Sequence, residues 1–425
     1  PEQEQQTLFK TQKAEQDYLR GRVIPDLTKN ELRAFLDIFQ EGKTIGSLIE
    51  IDNDIIKTAL SLYKILSESS TLDMKTKILF YKLIDIVRQS ILLINKYDIV
   101  VSNPPYMGTK NQNKLLKQYL QNRYNDVKYD LFSASISKFT KMTKPNSMSG
   151  FVAPYVWMFI LSYSKLREDI CDNYTITSLI QLEYNAFEPA CIPVCTFTIN
   201  THSMPFYYGS FIRLSDFKGY DNQKPNVLEA IRNTNCGWYY TSKLLDFDHI
   251  PGKPIAYWLS DRICEVFKHF SMLGNYAKPR QGLATGNNDR FLRFWWEVNW
   301  NKIGTKLTSI DEAIKSKKKW FPYQKGGKFR KWYGNNNYVI NYENGGAEII
   351  GFVKSVIRNP SYYFKNGMTW TSLTVGTFNG RYIPEGFILD SKGPVLFPDD
   401  DNMLYYIVGL MNSNVVNMLV KILAR

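Results

Sequence analysis

Asn103-Pro104-Pro105-Tyr106 closes an apolar run, Asp98-Ile99-Val100-Val101-Ser102, that reads as a buried strand. The asparagine side-chain oxygen accepts an N–H bond. A proline fixes φ and donates nothing, so the Pro104 and Pro105 carbonyls are rigidly held acceptors. Tyr106 offers a flat face for stacking. At the carboxyl end of a strand, these four residues can hold an exocyclic amine with its nitrogen lone pair aimed at an electrophile. A Pro-Pro pair after a strand also serves as a plain rigid turn, so the surrounding elements decide between the two readings.

Those elements read as follows. Residues 1–96 are mainly helical, with apolar positions such as Ile78, Leu79, Leu83, Ile86 and Ile94 at helical spacing. Residues 97–200 alternate strand and helix. A helix is expected over Asn113–Asn122, and Tyr129-Asp130-Leu131-Phe132 opens another through Lys141, with Asp130 capping its amino end. Lys144-Pro145-Asn146-Ser147 is a turn, and strands follow at Ser149–Pro154, Ile176–Leu182 and Val194–Asn200. Residues 201–270, rich in Pro and Gly, form a connector with some β structure. Residues 271–425 form a further domain that ends in one helix over Leu404–Leu423.

A length of 425 residues suits two or three domains. Five cysteines without a Cys-x-x-Cys, and three histidines, give no disulfide framework and no metal site. No apolar run is long enough to span a membrane, so a cytoplasmic protein is expected. The chain opens on Pro1 and stops at Arg425 on a helical pattern, which reads as two cuts in a longer protein.

The formal net charge of +13 favours a polyanionic partner. Residues 276–335 carry fourteen Lys and Arg against four Asp and Glu, so most of that excess sits in one stretch. Basic positions interleave with aromatics: Lys278 and Arg280; Arg290 and Arg293 beside Phe291 and Phe294-Trp295-Trp296; Lys317-Lys318-Lys319 before Trp320; Lys328, Arg330 and Lys331 around Phe329 and Trp332. Such a surface suits phosphate contact and stacking. A solvated face over ordinary core aromatics is the competing reading.

Asn103-Pro-Pro-Tyr106 after a strand resembles motif IV of S-adenosylmethionine-dependent amino-methyltransferases, which act on adenine N6 or on a glutamine amide. Further blocks are Tyr129-Asp-Leu-Phe132, Gly150-Phe-Val-Ala-Pro-Tyr-Val-Trp-Met-Phe159, Lys278-Pro-Arg-Gln-Gly-Leu-Ala-Thr-Gly-Asn-Asn-Asp-Arg-Phe291 and Lys319-Trp-Phe-Pro-Tyr323. With them, most of the chain resembles the large adenine-specific DNA methyltransferases of bacterial BREX phage-defence systems, the PglX family. The resemblance implies an α/β fold, part of a Rossmann-like class I methyltransferase sheet followed by a mixed α/β target-recognition domain. It implies S-adenosyl-L-methionine as methyl donor, double-stranded DNA as substrate, and other defence-system subunits as candidate partners. Asn103 and the Pro104 carbonyl would take the two N6 hydrogens of a flipped adenine, with Tyr106 on one face and Phe187 on the other. Asp130 and Phe132 would edge the cofactor pocket. The family's glycine-rich loop and acidic strand end should precede Asn103, and residues 1–102 contain neither, so the chain by itself need not be active. The alternatives are a non-catalytic DNA-specificity module and an RNA or protein-glutamine amino-methyltransferase.

Overall fold

The computed structural model describes residues 29–68, 74–187, 192–371 and 377–423. The chain separates into two compact units, divided between Cys264 and Glu265.

In the first unit three helices, α1 (Lys29–Phe39), α2 (Asn53–Glu68) and α3 (Met74–Ile94), pack through Phe35, Ala59, Leu60, Leu62, Val87 and Ile91. A six-stranded sheet follows: β1 (Tyr97–Ser102), β2 (Thr143–Pro154), β3 (Thr175–Gln181), β4 (Val194–Asn200), β5 (Gly209–Arg213) and β6 (Tyr239–Ser242). Its order is β1-β2-β4-β3-β5-β6. β1 runs parallel to β2 and β3 parallel to β5, while β4 is antiparallel to both of its neighbours. Among the helices that follow β1 or join the strands are α4 (Lys114–Arg123), α5 (Leu131–Lys141) and α6 (Ser164–Asn173). The alternation of β2 and β4 buries Phe151 against Phe197 at 5.5 Å, and Trp157 rests on Phe197 at 5.0 Å. β1 is an edge strand, and its Ile99 and Val101 are 69% and 77% exposed.

The turn expected at Lys144–Ser147 lies inside β2. The register against β1 jumps from Tyr97↔Thr143 to Ile99↔Met148, and Asn146 takes a left-handed φ of 59°. The turn residues therefore make a bulge that the strand absorbs, with an asparagine at the position that tolerates positive φ.

The second unit holds two four-stranded sheets. One, ordered β13-β9-β10-β8, is built from β8 (Leu292–Phe294), β9 (Trp320–Gln324), β10 (Tyr338–Asn341) and β13 (Ile388–Leu389). The other, ordered β12-β11-β14-β7, is built from β7 (Ala277–Arg280), β11 (Gly367–Thr369), β12 (Arg381–Ile383) and β14 (Val395–Pro398). Phe291, Phe321, Tyr323, Ile340 and Ile388 are among the residues of the first core, and Met368, Leu396, Leu404 and Ile407 of the second. The single helix expected over Leu404–Leu423 is two, α7 (Leu404–Met411) and α8 (Asn414–Leu423). Apolar periodicity does not reveal the break, because Asn412 turns its amide to the Gly380 backbone, donating to the carbonyl at 2.9 Å and accepting the N–H at 3.1 Å. The Ser413 hydroxyl then caps the next helix by accepting Val416 N–H at 3.2 Å. Among the described residues no single helix is long and apolar enough to cross a membrane. Asp401–Met411 with Asn414–Val420 reaches that apolar length only as a pair bent by 77°.

Candidate functional site

Because β1, β2 and β3 all point the same way, their carboxyl ends open on one edge of the sheet. In open α/β sheets that edge is where ligands bind. Asn103 leaves β1 exposed there, Pro104 is buried, Pro105 is exposed and Tyr106 is half-buried. The Tyr106 hydroxyl lies 3.1 Å from Asn103 Oδ1 and 3.3 Å from the Val152 carbonyl. It has one proton and two acceptors, so it can serve only one of them at a time. Burial pushes its pKa up, so the hydroxyl stays protonated.

The loop after the tetrapeptide is fastened to the amino end of α5. Asp130 Oδ1 accepts Met107 N–H at 2.8 Å and Phe132 N–H at 3.3 Å. Leu131 N–H donates to the Met107 carbonyl and Thr109 N–H to the Tyr129 carbonyl, at 3.2 and 3.1 Å. Asp130 thus caps the helix and also holds the loop. Burial raises its pKa, and the Met107, Phe132 and Leu131 amides pull it part of the way back. Phe132 is 1% exposed; it meets Tyr106 edge-on at 6.2 Å and packs on Tyr163 at 5.3 Å. Asp130 and Phe132 therefore support the ring of Tyr106 and the loop that follows it. Phe187 lies on the turn after β3, at the same sheet edge, with its ring 45% exposed.

Two parts of this arrangement carry no sequence signal. The Val152 carbonyl is a backbone group on the neighbouring strand. Tyr163 belongs to a one-turn helix, and its hydroxyl is pushed to about 12 by burial and by the charge of Asp130. The block Gly150–Phe159 was informative in outline, but pairing of β1 with β2 was needed to bring Val152 to Tyr106. Among the described residues no cluster of three or more His, Cys, Asp or Glu could hold a metal. Nor does a glycine-rich loop follow a strand ahead of Asn103 among them.

The basic residues of the second unit fall into two sets. Arg290 grips Glu348, with Nε at 2.9 Å and Nη2 at 2.8 Å from the same oxygen. Lys278 pairs with Asp399 at 3.3 Å and Lys319 with Glu343 at 3.8 Å. Arg293 donates to the Asp289 and Leu292 carbonyls, and Lys318 to the Asn301 carbonyl at 2.5 Å. Arg280 stacks over Tyr362 at 5.1 Å, and Lys331 reaches the Asn412 carbonyl at 3.4 Å. Lys317, Lys328 and Arg330 are exposed and make no ion pair among the described residues. The same unit carries an open aromatic surface: Phe294 stacks on Trp296 at 4.6 Å, and Trp295, Trp296 and Trp300 are 46%, 56% and 63% exposed.

Comparison with known proteins agrees with the motif order. Residues 27–187 match the Eco57I restriction-modification methylase family. The adenine-specific methyltransferase PglX of Lacticaseibacillus casei (strain Zhang) is 34% identical over 404 residues, covering 91% of this chain and 33% of that protein. The adenine-specific methyltransferase BrxX of Escherichia coli O9:H4 (strain HS) is 36% identical over 392 residues, covering 90% of this chain and 31% of that protein. A nuclease-deletion mutant of the Type ISP restriction-modification enzyme LlaGI, solved with a DNA substrate mimic, superposes with a TM-score of 0.48 at 10% identity, covering 84% of this chain and 35% of that one. The chain spans about a third of the length of the curated relatives it matches. Over nine-tenths of its residues it is similar to the adenine-specific methyltransferases PglX and BrxX.

Proposed function

We propose that this chain carries the target-base half of an N6-adenine DNA methyltransferase of a phage-defence system, together with a basic unit that holds duplex DNA. The observation that carries the reading is the placement of Asn103 at the carboxyl end of β1. Asn103 Oδ1 is presented at the sheet edge on a strand-to-proline junction, and the loop behind it is locked by Asp130.

The chemistry follows from these residues. Adenine N6 lies inside the stacked duplex, so the base is flipped out before it reacts. Asn103 Oδ1 accepts a hydrogen bond from one N6–H and the Pro104 carbonyl from the other, which draws the nitrogen lone pair out of conjugation with the ring and toward the methyl group. As the N–CH3 bond forms and the S–CH3 bond breaks, one N6 proton leaves to solvent. The proline ring fixes φ at Pro104, so that carbonyl needs no reorganisation. Tyr106 lies under the base, supported by Phe132 and Tyr163. Phe187 is the candidate for the opposite face. Catalysis rests on positioning and electrostatics, with no covalent enzyme intermediate. S-adenosylmethionine would supply the electrophilic methyl group, with Asp130 and Phe132 at the edge of its pocket. Lys317, Lys328 and Arg330, with the Trp295–Trp300 surface, supply phosphate contacts and stacking.

The test is transfer of labelled methyl from S-adenosylmethionine to duplex DNA, by this chain and by an amino-terminally extended form, followed by nucleoside analysis. Label on N6-methyladenine that disappears with Asn103→Ala, while DNA affinity is kept, supports the reading. DNA binding without transfer by either form would favour a specificity module, and preferential labelling of structured RNA would move the substrate class.

A further inference from the structure

The second unit buries a guanidinium that no acid among the described residues neutralises. Arg381, on β12, is 0% exposed. Its Nη1 makes only long contacts, to the Arg330 carbonyl, the Asn379 carbonyl and Asn379 Oδ1 at 3.4 Å and to Thr371 Oγ1 at 3.3 Å. Its Nε and Nη2 have no hydrogen-bond partner among the described residues. These two atoms form one edge of the planar fork, the edge that grips a carboxylate or phosphate with two parallel bonds. Two further buried polar atoms nearby are also unpaired: Asn379 Nδ2 and Gln324 Oε1. Gln324 lies close because its Nε2 donates at 2.7 Å to Thr369 Oγ1, and Thr369 pairs with Arg381 across the sheet.

No carboxylate answers this charge. Arg381 enters no ion pair among the described residues, and its pKa is drawn down by burial alone. The intervening residues, Ser372-Leu-Thr-Val-Gly376, contain no acid. An unpaired buried cation strongly disfavours a fold, so a site that keeps one points to an anion that arrives from outside. The cover of the site is itself basic. Trp332 is bonded through its backbone to Gly380 and Tyr382, at 2.9 and 2.8 Å, which lays the preceding turn over Arg381. That turn carries Lys325, Lys328, Arg330 and Lys331 around Gly326-Gly327. Gly393 completes the enclosure, since a Cβ there would come within 2.8 Å of Gln324 Oε1.

We propose that Arg381 is a phosphate site, with its Nε/Nη2 edge and Asn379 Nδ2 as donors, reached when the Lys325–Lys331 turn yields to the incoming anion. The surrounding cations favour a phosphodiester of bound DNA as the source. That source rests on the DNA-binding reading above, whereas the phosphate site does not.

The experiment compares the whole chain with Arg381→Met and Arg381→Lys. One arm measures melting temperature with and without inorganic phosphate at constant ionic strength. The other measures affinity for a labelled duplex over a salt series. For a DNA-phosphate site, Arg381→Met keeps or raises the ligand-free melting temperature and loses protection by phosphate. It also weakens duplex binding about tenfold at low salt and lowers the log–log salt slope by about one. Arg381→Lys keeps the charge without the fork and gives a smaller loss of affinity at an unchanged slope. Phosphate protection of the parent chain, lost in Arg381→Met, with unchanged duplex binding would assign the site to free phosphate. A ligand-free melting temperature that falls in Arg381→Met, with no phosphate protection in the parent chain, would overturn the proposal and make Arg381 an internal strut.

Discussion

Asn103 and Tyr106 make a coupled pair. The Tyr106 hydroxyl lies 3.1 Å from Asn103 Oδ1. When an amine claims that oxygen, the hydroxyl has the Val152 carbonyl 3.3 Å away to turn to. Asn103→Ala removes an acceptor needed as the reaction proceeds, and a loss of about 10²–10³-fold in turnover is expected by analogy with the removal of one preorganised polar group. Tyr106→Phe keeps the ring and loses the hydroxyl. One net hydrogen bond is worth roughly 1 kcal/mol, so turnover should fall several-fold while stacking, followed by fluorescence of 2-aminopurine at the target position, is unchanged. Tyr106→Ala should lose both. Equal turnover for Tyr106→Phe and the parent protein would remove the hydroxyl from the argument.

The joint between the loop and α5 depends on one carboxylate that bonds Met107 N–H and Phe132 N–H. Asp130→Ala leaves two amides unsatisfied and should cost about 1–3 kcal/mol in a denaturant titration. Asp130→Asn keeps an acceptor oxygen and should cost much less. The sign of the pH effect is fixed by the raised pKa of Asp130. The folded state favours the protonated acid, so this group's contribution is fully present below the ordinary aspartate value. It is lost as pH rises through the raised value. Asp130→Asn should therefore flatten stability against pH in the weakly acid range, and an unchanged profile would refute that assignment. In the second unit Gly282 N–H bonds the Asp390 carbonyl at 3.0 Å, and a Cβ on Gly282 would stand 1.9 Å from the Leu389 carbonyl oxygen. Gly282→Ala must push those two backbones apart, and a loss of about 1–3 kcal/mol is expected, as for other overpacked sites.

Over the whole molecule the excess of positive charge sets how DNA affinity answers to salt. If about 6–10 phosphates are neutralised, binding should weaken by about 10³–10⁵ between roughly 50 and 200 mM salt. A titration by fluorescence anisotropy checks this, and a flat response would count against a DNA-holding role for the basic unit. Within that unit the ion-paired residues should matter less than the unpaired ones. Arg290 and Lys278 already have carboxylate partners, whereas Lys317, Lys328 and Arg330 have none among the described residues. Replacing the three unpaired cations with alanine should lower the salt slope by about three, against a smaller change for the paired set.

By itself the sequence determined local matters: the strand ahead of Asn103, the rigid prolines, the cap at Asp130 and the basic-aromatic stretch. Each follows from residue type and near-neighbour spacing, which act over a few residues. It misled where a side chain answers to something distant. Asn412 breaks the last helix because Gly380 lies beside it, and Lys144–Ser147 became a bulge because β1 sets the register. Three matters belonged to the tertiary structure alone. Strand pairing brought the Val152 carbonyl to Tyr106, and the placement of Asp399, Glu348 and Glu343 divided the cations into paired and unpaired. The sheet of the second unit closed over Arg381 and left one edge of it without a partner. Contacts between residues tens of positions apart have no period in the chain, so folding had to place them.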